Sequence, residues 1–156
     1  MVALNPALGG LFRDYERSHR HPVNVRLHQV AIPLIVFHLV AMLDWVGLFR
    51  IPGTALHVTL AHVAYVAVIG WYLSLDAGLA VWMAGLFAVC FPIGWVAPRL
   101  AVVCVAVVAW TLQLAGHSVW ERQRPAFLHN LLHALVGPLF FVAKALGRWP
   151  ERVGAR

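Results

Sequence analysis

The chain is poor in charge. Of its 156 residues only 12 are Lys or Arg and 6 are Asp or Glu, together 12%, about half the share of an ordinary soluble domain. Cysteine is nearly absent. Cys90 and Cys104 both lie inside apolar stretches and neither stands in a CxxC-type spacing. That excludes a disulfide framework or a thiolate metal cluster and leaves them as small buried hydrophobes. No glycine-rich nucleotide fingerprint occurs, which argues against nicotinamide or nucleotide chemistry. The first apolar stretch has no A-x-A end, so no cleavable signal is expected. Acidic residues are scarce enough to give a net charge of +6. The basic residues sit at the ends of apolar stretches and at the termini, however, and form no aromatic-interleaved surface. Nucleic-acid binding is therefore not expected.

Hydrophobic residues make up 62% and mean hydropathy is +0.78. The apolar residues come in long blocks, at about 28–49, 54–73, 77–97 and 100–116. Each approaches the roughly 20 residues that cross a bilayer as an α-helix. The expected fold class is all-α: a polytopic membrane helical bundle in one domain, residues 1–156. Four transmembrane spans fill 28–116, preceded by an amphipathic arm (1–27) whose Leu8, Leu11 and Phe12 suit a membrane surface. A loop (117–126), a further apolar block (127–146) and a basic tail (147–156) follow. Pro22 ends any helix in the arm, and Pro92 predicts a kink in the third block. Seven Trp and three Tyr suit a protein with two interfaces to anchor.

Charge orients the bundle. Arg13, Arg17, Arg20 and Arg26 precede the first block, and Arg122 and Arg124 follow the fourth. Lys144, Arg148, Arg152 and Arg156 end the chain, whereas the other two connections carry only Arg50 and Arg99. By the positive-inside rule both termini and the 117–126 loop face the cytoplasm. An even number of spans satisfies this, so 127–146 is expected to dip in and return or to lie along the interface. The same parity brings His19, His28, His117 and Glu121 to one face.

Two polar constellations then stand out. The first is Tyr15-x3-His19, followed by His21, Pro22 and Asn24-x3-His28. The second is Trp110-x2-Gln113-x2-Gly116-His117-x3-Glu121-x3-Pro125-Ala126. Gln113, His117 and Glu121 recur every four residues, one stripe of an α-helix, and a polar stripe at the end of an apolar helix needs a partner. His129 and His133 form a further i, i+4 pair. Gly116 allows another backbone close to His117. Several imidazoles with one carboxylate suit Fe(II), Zn or Cu, with Glu121 as a ligand or as a partner orienting an imidazole. A membrane lipid enzyme using such a metal, or a metal transporter, fits this pattern. A transporter would place ionisable groups along a path through the spans. Outside the one face only His38, Asp44, His57 and His62 are found, and these read as structural polar contacts within the first two blocks.

The paired motifs Y-x3-H-x2-P-x-N-x3-H and W-x2-Q-x2-G-H-x3-E-x3-P-A, separated by four apolar blocks, resemble the small membrane family of Fe(II)-dependent 2-hydroxy fatty acid dioxygenases. The resemblance implies an integral membrane protein, of the inner membrane in a prokaryote or of the endoplasmic reticulum in a eukaryote. The resemblance covers nearly the whole chain. It implies α-oxidation, in which a 2-hydroxy fatty acid and O₂ yield the fatty acid one carbon shorter. It implies Fe(2+) held by His19, His28 and His117. Tyr15, Asn24, Gln113 and Glu121 would line or support the site. His21 and His133 depart from the usual pattern, and His133 is a candidate fourth ligand. The alkyl tail would lie in the lipid bilayer among the spans, with Arg20, Arg26 or Arg122 near the carboxylate.

Overall fold

Prolines set where the two N-terminal helices begin. In the computed structural model, residues 5–125, 127 and 132–149 are described. Helix α1 (Pro6–Arg17) has proline in its first turn and is capped by Asn5, whose side chain accepts from the Ala7 amide at 2.9 Å. Helix α2 (Pro22–Asp44) starts on Pro22, with His21 as its cap accepting from the Val23 amide. A proline there loses no hydrogen bond, because the first amides of a helix have no internal acceptor. The first long helix therefore begins six residues before the apolar block does, and it carries Asn24 and His28.

After α2 the chain forms an antiparallel hairpin, β1 (Gly47–Arg50) with β2 (His57–Thr59). This differs from the sequence reading, which gave Leu48 and Phe49 to the first span and 54–59 to the second. Arg50 Nε donates to His57 Nε2 across the hairpin at 2.8 Å, so His57 lies on a strand rather than on a helix. The hairpin shortens helix α3 (Leu60–Leu75) to 16 residues, roughly 24 Å at 1.5 Å per residue. Helix α4 (Ala77–Val96) runs through Pro92 and is capped by Asp76, which accepts from the Leu79 amide at 2.9 Å. Helix α5 (Arg99–Ala115) continues into a π-helical turn, Gly116–Glu121. Helix α6 (Leu132–Ala145) has only 14 residues and contains Gly137 and Pro138.

The fold is all-helical apart from the hairpin. By length and composition three helices can cross a membrane: α2, α4, and α5 with its π-turn. Helices α3 and α6 are apolar but shorter. Large apolar side chains cover the outside of the bundle: Val96 is 83% exposed, Leu100 75% and Trp95 67%. Such a surface is larger than soluble monomers tolerate and suits contact with lipid. Cys104 is on this exposed side and Cys90 is half-buried, so neither is the fully buried hydrophobe expected.

Helix α2 is the hub, packing against α3, α4, α5, the π-turn and α6. Helix α1 does not offer its apolar stripe to the membrane surface. Leu8, Phe12 and Tyr15 are buried in a cluster with Leu139, Phe140 and Ala143 of α6 and with Tyr72, Leu79 and Met83. Arg148 clamps the end of α6 to the start of α4 through two bonds to Asp76, at 2.7 and 2.8 Å. Tyr72 donates to the Leu135 carbonyl at 2.7 Å. At the opposite end of the bundle, Asp44 accepts from Thr59 Oγ1 at 2.7 Å and from Trp95 Nε1 at 2.8 Å. Midway along α2, His38 donates to the Leu34 carbonyl and accepts from Trp110 Nε1 at 3.2 Å. His38 and Asp44 thus make structural contacts between elements.

Candidate metal centre

His19 follows the end of α1, His28 is on the second turn of α2, and His117 is on the π-turn after α5. Their rings form a near-equilateral triangle, with centroids 4.7, 4.8 and 4.8 Å apart and planes crossing at 74–80°. One nitrogen from each lies within 4.8 Å of the others, and all three side chains are buried. Among the described residues this is the only cluster of three or more histidine, cysteine or acidic side chains close enough to share an ion.

The backbone fixes which nitrogen faces inward. His19 Nδ1–H donates to the Tyr15 carbonyl at 2.7 Å, and His28 Nδ1–H donates to the Asn24 carbonyl at 2.9 Å. Each bond reaches four residues back, and each leaves the Nε2 lone pair pointing into the triangle. His19 Nε2 is buried without a hydrogen-bond partner. His28 Nε2 lies 3.0 Å from His117 Nε2 and accepts from the Gln113 amide at 2.7 Å. An orphaned lone pair beside a crowded one is the pattern a cation resolves. Burial, reinforced by the adjacent His28, pushes His19 down to about 3, so it is neutral and available as a donor near neutral pH. Three clustered imidazoles fit a borderline divalent metal such as iron or zinc.

The supporting residues are placed as follows. Glu121 does not face the triangle: its Oε1 accepts from the His21 backbone amide at 2.7 Å and from Asn24 Nδ2 at 3.0 Å. A carboxylate there also meets the positive end of the α2 dipole, and it ties the π-turn carrying His117 to the helix carrying His28. The ring of His21 is engaged as a helix cap and lies outside the three-histidine cluster. Asn24 is fully buried. Gly116 faces its side chain rather than a neighbouring backbone. A Cβ at Gly116 would collide with Asn24 Oδ1 and stand 3.3 Å from His28 Cε1. The Tyr15 ring stacks on His19 at 3.9 Å. Its hydroxyl is buried without a hydrogen-bond partner and is held protonated by burial. Gly137 makes room for that hydroxyl, since a Cβ there would lie 3.2 Å from it. His133 stands on the same cavity wall as His19 and His117, outside the group of three, with Nδ1 buried and unpartnered. His129 and Ala126 fall outside the described residues.

A cavity of about 250 Å³ opens from the triangle into the bundle. Its near end presents Tyr15, His19, Gln113, His117 and His133, and beyond them the walls are apolar or aromatic. A second, larger hollow shares Tyr15, His19, Ile32, Val36, Phe87 and Pro138 with it and carries Arg20, Arg26 and Lys144 on its lining.

The sequence pattern of 2-hydroxy-palmitic acid dioxygenase Mpo1-like proteins matches residues 8–148. This chain belongs to the Mpo1-like family. It is 28% identical over 134 residues to the Saccharomyces cerevisiae protein named 2-hydroxy-palmitic acid dioxygenase MPO1, an alignment covering 82% of this chain and 72% of the yeast one. No solved structure matches it. The match to the Mpo1-like family takes in all three histidines, every helix named above except the first two residues of α1, and the cavity. A dioxygenase family and a buried three-histidine cluster agree with an oxidoreductase role.

Proposed function

We propose that this protein is an Fe(II)-dependent dioxygenase that shortens 2-hydroxy fatty acids by one carbon. The observation that carries the reading is the junction of three buried, clustered histidines with the polar mouth of an apolar cavity inside a lipid-facing bundle. His19, His28 and His117 would hold the iron, which supplies the redox chemistry with O₂. The overall change balances without a further reductant: R–CH(OH)–COOH and O₂ give R–COOH, CO₂ and water. The substrate provides all four electrons, in keeping with the absence of a nucleotide motif.

The chain's own residues bind and orient. The apolar walls take the alkyl tail and exclude water from the histidine end. Gln113, whose amide turns toward His28, supplies a donor for the substrate's oxygens. The Tyr15 hydroxyl and His133 are further polar groups at the same mouth. Arg20 and Arg26 have no acidic partner among the described residues and suit the approach of a carboxylate. Glu121 and Asn24 position the histidines through the bonds described above. We further propose that the protein is integral to its membrane, the bacterial inner membrane or the endoplasmic reticulum. The histidine end then faces the cytoplasm with the Arg-rich arm.

The test is direct. Anaerobic protein loaded with Fe(II) and 2-hydroxypalmitate, then exposed to O₂, should give the C15 acid with one O₂ consumed per product. His28→Ala and His117→Ala should give none. Iron-loaded wild type that consumes no O₂ over a range of 2-hydroxy acids would overturn the proposal.

A further inference from the structure

We infer that the cavity is a chain-length gauge whose floor is formed by Leu43 and Ala61, set for an acyl chain of about 14–16 carbons. The inference rests on the proposed reading of the histidine triangle as the place where the head group reacts. Helix α2 lines the cavity with Ile32, Ile35, Val36, Leu39, Val40 and Leu43. These fall at i, i+3, i+4, i+7, i+8 and i+11, a single helical stripe.

The length of that stripe sets the measure. From residue 32 to residue 43 the helix rises roughly 16 Å at 1.5 Å per residue. An extended alkyl chain advances about 1.25 Å per carbon, given a C–C bond of about 1.5 Å. The stripe therefore matches about 13 carbons. C1 and C2 lie above it, at the polar end among His19, Gln113 and His117. The sum falls at C14–C16. Roughly 16 Å is also the hydrocarbon depth of one leaflet, half of the approximately 30 Å core.

Leu43 is the last cavity residue of α2 and Ala61 the first of α3. Ala61 is 2% exposed. The residues flanking this floor are tied together. Asp44, next to Leu43, accepts from Thr59 Oγ1 at 2.7 Å, and Thr59 caps α3 two residues before Ala61. Trp95 donates to the second oxygen of Asp44 at 2.8 Å and adds α4 to the junction. A floor pinned by three elements does not retreat to admit a longer chain. Ala61, carrying only a methyl group, is the position where added bulk shortens the space.

The experiment has two readouts in nanodiscs. The first is the thermal stabilisation of metal-free protein by saturated fatty acids from C8 to C20, which requires neither iron nor turnover. The second is turnover of the matching 2-hydroxy acids by the Fe(II)-loaded protein. Wild type should show an optimum at C14–C16 in both. Ala61→Phe should move the optimum shorter by about four carbons, since a ring reaches about 5 Å at about 1.25 Å per carbon. Leu43→Ala should move it longer by about two. If Ala61→Phe does not fold, Leu43→Trp replaces it with the same expected direction. An optimum that stays in place in every folded floor variant overturns the gauge. An optimum that moves as stated in the binding series, with no turnover of any 2-hydroxy acid, upholds the gauge and overturns the proposed reaction.

Discussion

Gly116→Ala adds one methyl group at the most crowded point of the histidine cluster. The new Cβ strikes Asn24 Oδ1 and presses on the His28 ring. Asn24 is fully buried and bonded to Glu121, so it cannot move without breaking that bond. Overpacking costs about 1–3 kcal/mol, and the lost bond to a carboxylate costs about 1.5–3 kcal/mol. Alanine's better backbone conformational entropy returns about 0.5–1 kcal/mol. The net expectation is a destabilisation of roughly 2–5 kcal/mol. The shift of Asn24 also disturbs the carbonyl that orients His28, so metal affinity should fall about 10–100-fold, as for other lost orienting partners. Gly10→Ala is the matched control. Gly10 lies in α1 with nothing within 4 Å of an added Cβ, so this variant should gain about 0.5–1 kcal/mol. The assay is thermal unfolding in detergent by circular dichroism, with metal content by plasma emission. If Gly116→Ala melts at or above wild type and keeps its metal, the packing argument is wrong.

Three further outcomes follow from the same geometry. Tyr15→Phe removes a buried hydroxyl that makes no hydrogen bond, so the melting temperature should hold or rise slightly while the rate with 2-hydroxy acid falls; an unchanged rate would remove Tyr15 from the substrate end. The Arg148 guanidinium bonded to Asp76 holds that carboxyl below its ordinary value. A depressed folded value means stability that is complete above the ordinary carboxylate value and is lost as pH falls through the folded one. Asp76→Asn should therefore be less stable than wild type at neutral pH, the difference closing in acid, as measured by melts across pH 2–7. Adding Fe(II) at 100 times its dissociation constant should stabilise wild type by about 2.7 kcal/mol. The same metal should leave the melting temperature of His19→Ala, measured under anaerobic conditions, much less affected.

Much of the fold was legible from apolar block length. The α4 and α5 boundaries fall within about a residue of the blocks, because Asp76 and Pro98-Arg99 are unambiguous stops. The hairpin was not legible: Gly47–Arg50 and His57–Thr59 are apolar enough to read as continuations of the helices on either side. The start of α2 was legible only in part: Asn24 and His28 share a face if a helix starts after Pro22, but these polar residues left the apolar block itself beginning at about 28. In the site, spacing and span parity gathered several histidines at one face, because histidine is costly in such a chain; it was the family resemblance that narrowed them to His19, His28 and His117. Spacing misplaced Glu121 on the histidines' own stripe, since the segment winds as a π-turn and turns the carboxylate to the cap of α2. No local pattern announces that winding. The shelter that α6 gives Tyr15 through Gly137 is a tertiary contact and had no sequence signal beyond the Gly-Pro pair itself.

The triangle of imidazoles draws on parts of the chain made at very different times. His19 and His28 are synthesised early, and His117 follows 89 residues after His28. At about 5–20 residues per second, the ribosome needs roughly 4–18 s to cover that interval. Throughout it the first two histidines lack their third neighbour, and α6, which braces α1, is later still. A newly inserted chain therefore has no complete donor set until its last long helix is in place. Any metal that the three histidines hold would be taken up late in biogenesis, once the π-turn after α5 is in place.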